Sequence, residues 1–233
     1  MTEQLSATRQ PTHRRLARGL YWRGLAFSFR ALKVPLSAVA NSVAPKAPWT
    51  SFAPRWDTLE AYADWLSPPQ PQPQHVVWRP DPLGGLLDYF PSLDTIAAQF
   101  RDKGKFEDDC DGLALFSAQN VRQFADEPDA VYVVTLILDP FSFAEKALEL
   151  AAHVICVFRR EGAWRVVSNT DVFADRFPSF AAAVQKNSYC VIHPVLWAEV
   201  RNTHLRRLAS GPDLDAIGQH MERRHSDAEV RST

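Results

Sequence analysis

The sequence predicts an α+β fold in which a helix beginning at Cys110 packs on an antiparallel sheet, and three observations carry that prediction. Apolar residues recur at helical spacing on either side of Gly104, over Leu93–Lys103 and again from Cys110 to about Phe124. Val131–Leu138 is a β-branched run with too little polarity for an edge, the pattern of a buried strand. His153–Phe158 and Trp164–Ser168 then flank Arg159–Ala163, whose composition is that of a hairpin connection.

At the N-terminus, residues 1–46 hold Leu16, Leu20, Trp22, Leu25, Phe29 and Leu32 among arginines, close to helical spacing. This basic amphipathic segment either meets an anionic membrane, nucleic acid or an acidic partner, or docks its apolar side on its own domain. Prolines at 35, 45, 48 and 54 punctuate the chain beyond Lys33, and a short helix is expected over Asp57–Leu66. The Pro-Pro-Gln-Pro-Gln-Pro run of 68–73 cannot be helical and is expected to be an extended spacer. Residues 1–75 therefore form an extension and linker, and the compact domain runs from Val76 to about residue 200.

Within that domain Ser92 caps Leu93–Lys103, Gly104 ends it, and Asp108 or Asp109 caps the helix carrying Cys110. Residues 140–152, with a helix-like Ala144–Ala152, are placed to line a site entrance. Ser179–Lys186 reads as a short helix and Tyr189–Leu196 as a further strand, with no internal repeat. Residues 201–233 are charged and sign-balanced, as in a peripheral helix with a frayed tail.

The 46% apolar and 11% aromatic content is that of a globular chain and excludes wholesale disorder. The net charge of −1 hides an asymmetry: eight Lys/Arg against one acid in residues 1–46 leave the rest of the chain acidic. Cys110, Cys156 and Cys190 are odd in number and irregular in spacing, which argues against a disulfide framework and for a reducing, cytoplasmic setting. No run of 18 residues escapes charge or proline, so no transmembrane segment is expected. Arg14-Arg15 resembles an export signal, but Arg18, Arg23, Arg30 and Lys33 spoil the apolar region such a signal needs.

Cys110 is the residue with chemical promise. At a helix start the unpaired backbone N–H groups and the macrodipole favour a thiolate, the nucleophilic form. His153 opens a strand, and Asn169 and Asp171 lie on the return strand. A nucleophilic cysteine needs such a base, and the base needs a third group to fix its tautomer. Register decides whether they meet. With a three-residue loop at 161–163, His153 faces Asp171 with Asn169 diagonal on the same face; with a two-residue loop it faces Thr170 and those partners point away. Cys156 and Cys190 sit inside apolar runs with no acidic cap, no helix terminus and no local histidine at useful spacing, and serve as controls.

The segment Asp-Asp-Cys-Asp-Gly-Leu-Ala, then His-Val-Ile-Cys-Val-Phe, Gly-Ala-Trp and Val-Val-Ser-Asn-Thr-Asp, resembles the transglutaminase-like cysteine peptidase superfamily. The resemblance spans residues 90–195 and implies a papain-like α+β fold, Cys110 as nucleophile and His153 as base. The third position falls near Ser168 or Asn169, with Asp171 the alternative carboxylate. It implies an amide-bond hydrolase acting on a peptide or protein through a thioester, with the Cys110 N–H, and Gln99 upstream, stabilising the oxyanion.

Two other functions stay open: an inactive relative that binds through its cleft, and an interaction protein acting through its basic arm. Asp108, Asp109 and Asp111 oppose a thiolate, and are either helix caps or ligands for a cation such as calcium. No cofactor is expected: Gly84-Gly85 is a turn rather than a phosphate loop, and the seven histidines are too scattered for zinc. Substrate identity and oligomeric state are not encoded in any recognisable motif.

Overall fold

The computed structural model describes residues 12–52, 55–80, 89–143 and 152–232. The chain opens with α1 (Thr12–Ser28), a π-turn (Phe29–Lys33) and α2 (Val34–Val43), which succeed one another without a break. Pro35, in the first turn of α2, explains the π-turn: it has no N–H to give to the preceding turn, and its ring crowds that turn's carbonyl. After α3 (Leu59–Leu66), the proline run folds back in a turn closed by the Gln72 N–H on the Pro69 carbonyl, rather than staying fully extended.

Strand β1 (Val76–Trp78) precedes α4 (Leu93–Lys103), which begins at Ser92, whose hydroxyl accepts the Thr95 N–H. Helix α4 ends at Gly104 with φ 69°, a left-handed conformation that glycine adopts freely. Strand β2 (Phe106–Asp108) pairs in parallel with β1 and delivers the chain into α5 (Cys110–Val121). Then come β3 (Val131–Leu138), β4 (Ala152–Arg160), β5 (Ala163–Ser168), β6 (Asp171–Val172), α6 (Phe180–Lys186), β7 (Val195–Asn202), β8 (Arg207–Gly211) and α7 (Leu214–Ser232).

The fold is α+β. Six strands form an antiparallel sheet in the order β6-β5-β4-β3-β7-β8, and α5 packs against it. Side chains alternate across each strand, so the sheet serves two cores. Val131, Val133, Val154, Cys156, Phe158 and Val167 meet α5 and the α3–α4 region on one face. Tyr132, Val134, Leu136, Ile155, Val157 and Val166 meet α6 and α7 on the other. Leu59, Tyr62 and Leu66 of α3 join the first core, ahead of Val76.

Two sequence expectations shift. The final strand begins at Val195, not Tyr189, because Asn187 turns the chain by accepting the N–H groups of Tyr189 and Cys190, and Pro194 comes next before the strand. The segment after Asn202 also contributes an edge strand, β8, whose polar composition hides it among charges. The helix expected over 144–152 falls almost wholly outside the described residues, as does the Gly84-Gly85 turn.

The basic arm is seated on the sheet. Tyr21, Trp22, Leu25, Ala26 and Phe29 pack against Ile137 of β3 and Trp197 of β7, and Arg18 pairs with Asp139 at 2.6 Å. Docking of its apolar side on the domain is thus one part of its role, and its outer face remains open.

Candidate functional site

The start of α5 is built by three aspartates with different tasks. Asp109 keeps extended backbone and its carboxylate accepts the Asp111 N–H at 2.9 Å, capping the helix. Asp108 accepts the Asp109 N–H at 2.9 Å. Its carboxylate lies so close over Gly112 that a Cβ there would fall inside it, so this position requires glycine. Asp111 is buried and pairs with the Lys33 ammonium, which comes from the π-turn of the arm and is itself buried. The same ammonium lies 4.4 Å from the centre of the Phe90 ring.

Cys110 is half-buried at this helix start, packed against the first core, with its sulfur on the backbone N–H of Val154. Val154 faces α5 from β4, and its neighbour His153 points to the opposite face with Leu136 and Ile155. The thiol and the imidazole therefore approach the same peptide from the two sides of the sheet. Among the described residues no hydrogen bond joins them.

The His153 ring is held by two groups. Its Nε2 lies 2.8 Å from Ser168 Oγ, and its ring centre is 4.5 Å from that of Tyr189. Ser168 is diagonal to His153 because the β4–β5 loop is two residues long: Arg160 pairs with Ala163 and Ile155 with Ser168. Glu161 at φ 52° and Gly162 at φ 73° form that turn, and the Asp126 carboxylate fastens it by accepting both of their N–H groups. The loop is thus shorter than the three-residue alternative, and the partners shift with it.

Asn169 and Asp171 consequently take other positions. Asn169 sits in the two-residue turn between β5 and β6 with φ 51°, and its Oδ1 is buried with no hydrogen-bond partner among the described residues. Asp171 is exposed, opposite Ser168 on β6. Neither makes a hydrogen bond with His153 among the described residues. The Gln99 side-chain oxygen accepts the Glu107 N–H at 3.3 Å, which ties it to β2.

Electrostatics set the resting protonation. Burial pushes the Cys110 thiol well above its ordinary range, Asp111 and Asp109 push it further, and the Lys33 charge and the Val154 N–H oppose them. Burial also lowers His153 to about 4. The resting pair is a neutral thiol and a neutral imidazole. Burial likewise raises Cys190, to about 11, and Cys156 higher still, and both lie deeper than Cys110.

Sequence reasoning missed Lys33 and Tyr189. Tyr189 touches the His153 ring and is near enough to Cys110 for their charges to interact. From it an aromatic track runs to His193 at 5.2 Å and to Phe143, stacked on His193 at 3.9 Å, and Phe141, Val191 and Ile192, close to these rings in sequence, are exposed. The ligand atoms of Asp109, Cys110 and Asp111 lie within 4.8 Å of one another, and of these the Asp111 carboxylate is already paired with an internal cation, Lys33. No family model, curated protein or solved structure matches this chain.

Proposed function

We propose that the protein is a cysteine-dependent amide-bond hydrolase, of the papain-like, transglutaminase-like type, acting on a peptide or protein. One observation carries the reading: the first residue of a capped helix is a cysteine whose sulfur rests on the peptide joining His153 to Val154, while a neighbouring hydroxyl holds that histidine.

In this mechanism Nε2–H donates to Ser168 Oγ, which leaves Nδ1 as the base. Because the resting thiol is neutral and the imidazole stands on the other face of the sheet, the ring must first come past the start of β4 to the thiol's side, and proton transfer to Nδ1 then accompanies attack of sulfur on the amide carbonyl. The Cys110 N–H, free of an intrahelical partner at the helix start, is a donor to the oxyanion. The imidazolium returns its proton to the departing amine, leaving a thioester. Water then attacks that thioester, giving one proton back through His153 to the sulfur and leaving the acid. Ser168 takes the place that Asn169 or Asp171 was expected to fill.

Treatment with limiting iodoacetamide and then peptide mapping tests this. Cys110 is labelled first, and His153→Ala slows that labelling. Preferential labelling of Cys156 or Cys190 would remove Cys110 as nucleophile. A second reading, a cleft that binds without turnover, is favoured by the neutral resting pair and by a hydroxyl in the third position. Equal labelling rates with and without His153 would select it.

A further inference from the structure

The outer face of the arm carries an apolar stripe that no described residue covers. Leu16, Leu20 and Phe27 of α1 are 64%, 72% and 72% exposed, and Leu32, Val39 and Val43 are 58%, 64% and 80% exposed. These are six of the ten large apolar side chains exposed among the described residues, so the exposure is concentrated on one element.

Their spacing shows one continuous face. Steps of four and seven residues along α1 are mirrored by steps of seven and four from Leu32, near the end of the π-turn, to Val39 and Val43 of α2, and such steps keep side chains on one side of an α-helix. The join from Phe27 to Leu32 is five residues, which on an α-helix would swing the stripe over a third of a turn away. The π-turn at Phe29–Lys33 absorbs the extra residue, since its repeat is longer than 3.6. The same turn delivers Lys33 inward to Asp111, so the inner face stays seated while the outer face stays in line. At 1.5 Å per residue the stripe is roughly 40 Å long.

Charge identifies the occupant. From residue 12 to residue 43 the sequence has no Asp or Glu, and Arg14, Arg15 and Arg23 are exposed around the stripe. A second copy of the chain would bring two acid-free cationic faces together. A nucleic acid would leave the large apolar side chains unused. A surface that offers anionic headgroups over hydrocarbon satisfies both components, and no helix among the described residues is long and apolar enough to cross such a layer. We propose that the outer face of the Thr12–Val43 arm lies in the plane of an anionic lipid surface, with Leu16, Leu20, Phe27, Leu32, Val39 and Val43 dipped into it.

The test mixes the full chain with sedimentable vesicles of phosphatidylcholine alone, or of phosphatidylcholine with phosphatidylglycerol. Co-sedimentation with the anionic vesicles only is expected. Leu20→Glu/Phe27→Glu lowers that partition about tenfold or more, and Arg15→Gln/Arg23→Gln lowers it to a similar degree while weakening its salt dependence. All four side chains are exposed, so melting temperature is expected to hold; the arginine pair stands alone as the measure should the glutamate pair melt early. Protein left in the supernatant with anionic vesicles overturns the proposal, as does unchanged binding by the arginine pair. So does a dimer in light scattering that the glutamate pair converts to monomer, which would assign the stripe to a second copy. Tighter binding to duplex DNA than to vesicles would assign it to nucleic acid.

Discussion

Replacing Lys33 with methionine tests the link between the arm and the candidate nucleophile. The Lys33 and Asp111 side chains are only 7% and 2% exposed, so the substitution leaves a buried carboxylate without its ammonium. Breaking one side of a buried pair costs about 3–5 kcal/mol, far more than the near-zero value of a surface pair. At the lower figure, a chain of this size should melt roughly 6–12 °C lower. Lys33→Met/Asp111→Asn removes both charges and is expected to recover most of that loss, because the pair's desolvation cost goes with it. Thermal unfolding of wild type, both single variants and the double closes the cycle. Iodoacetamide labelling adds an independent reading, since the Lys33 charge opposes the rise of the Cys110 thiol and its loss slows labelling at fixed pH. Single variants that melt within a degree of wild type, or a double no better than the worse single, would refute the argument that this pair is held dry.

The same geometry sets other expectations. His153 titrates near 4 when folded against an ordinary 6.5, so between those values the unfolded chain binds more protons and stability falls as pH drops through that window. The contribution is about 3 kcal/mol, present in full above pH 6.5 and lost as pH falls to about 4, and a urea-stability profile of His153→Gln should be flatter across that window. Ser168→Ala is expected to slow Cys110 labelling and to cost about 1–3 kcal/mol by stranding Nε2, whereas Asn169→Ala and Asp171→Ala leave the labelling rate near wild type. Labelling lost in Asn169→Ala but kept in Ser168→Ala would return the third role to Asn169. Gly112→Ala forces Asp108 off the helix and should cost about 1–3 kcal/mol, seen as a lower melting temperature.

Local chemistry made much of this molecule readable in advance. Ser92, Gly104 and Asp109 mark helix ends by interactions that span two to four residues, and each sits where the sequence placed it. The buried run at Val131–Leu138 and the hairpin after it are equally local signals. What escaped depends on distance. Loop length at Glu161-Gly162 is held by Asp126, which lies 35 and 36 residues away, and that single-residue difference in register moved the histidine's partner to Ser168. Lys33 looks like one more arm cation until the fold sets it 78 residues away against Asp111. Tyr189 reads as strand because Tyr-Cys-Val-Ile is apolar, whereas Asn187 bends that stretch over the His153 ring.

The arm's seat also imposes an order of assembly. Ile137 and Trp197 lie on neighbouring strands, and Arg18 reaches Asp139 across 121 residues, so the platform does not exist until β7 has joined β3. During synthesis the arm emerges ahead of its platform and docks only after β7 has joined β3. Until then its Tyr21, Trp22, Leu25 and Phe29 are uncovered as well as its outer stripe, and Asp111 waits for its cation. A nascent chain therefore completes the electrostatic surroundings of Cys110 only when the arm returns to strands made well after it.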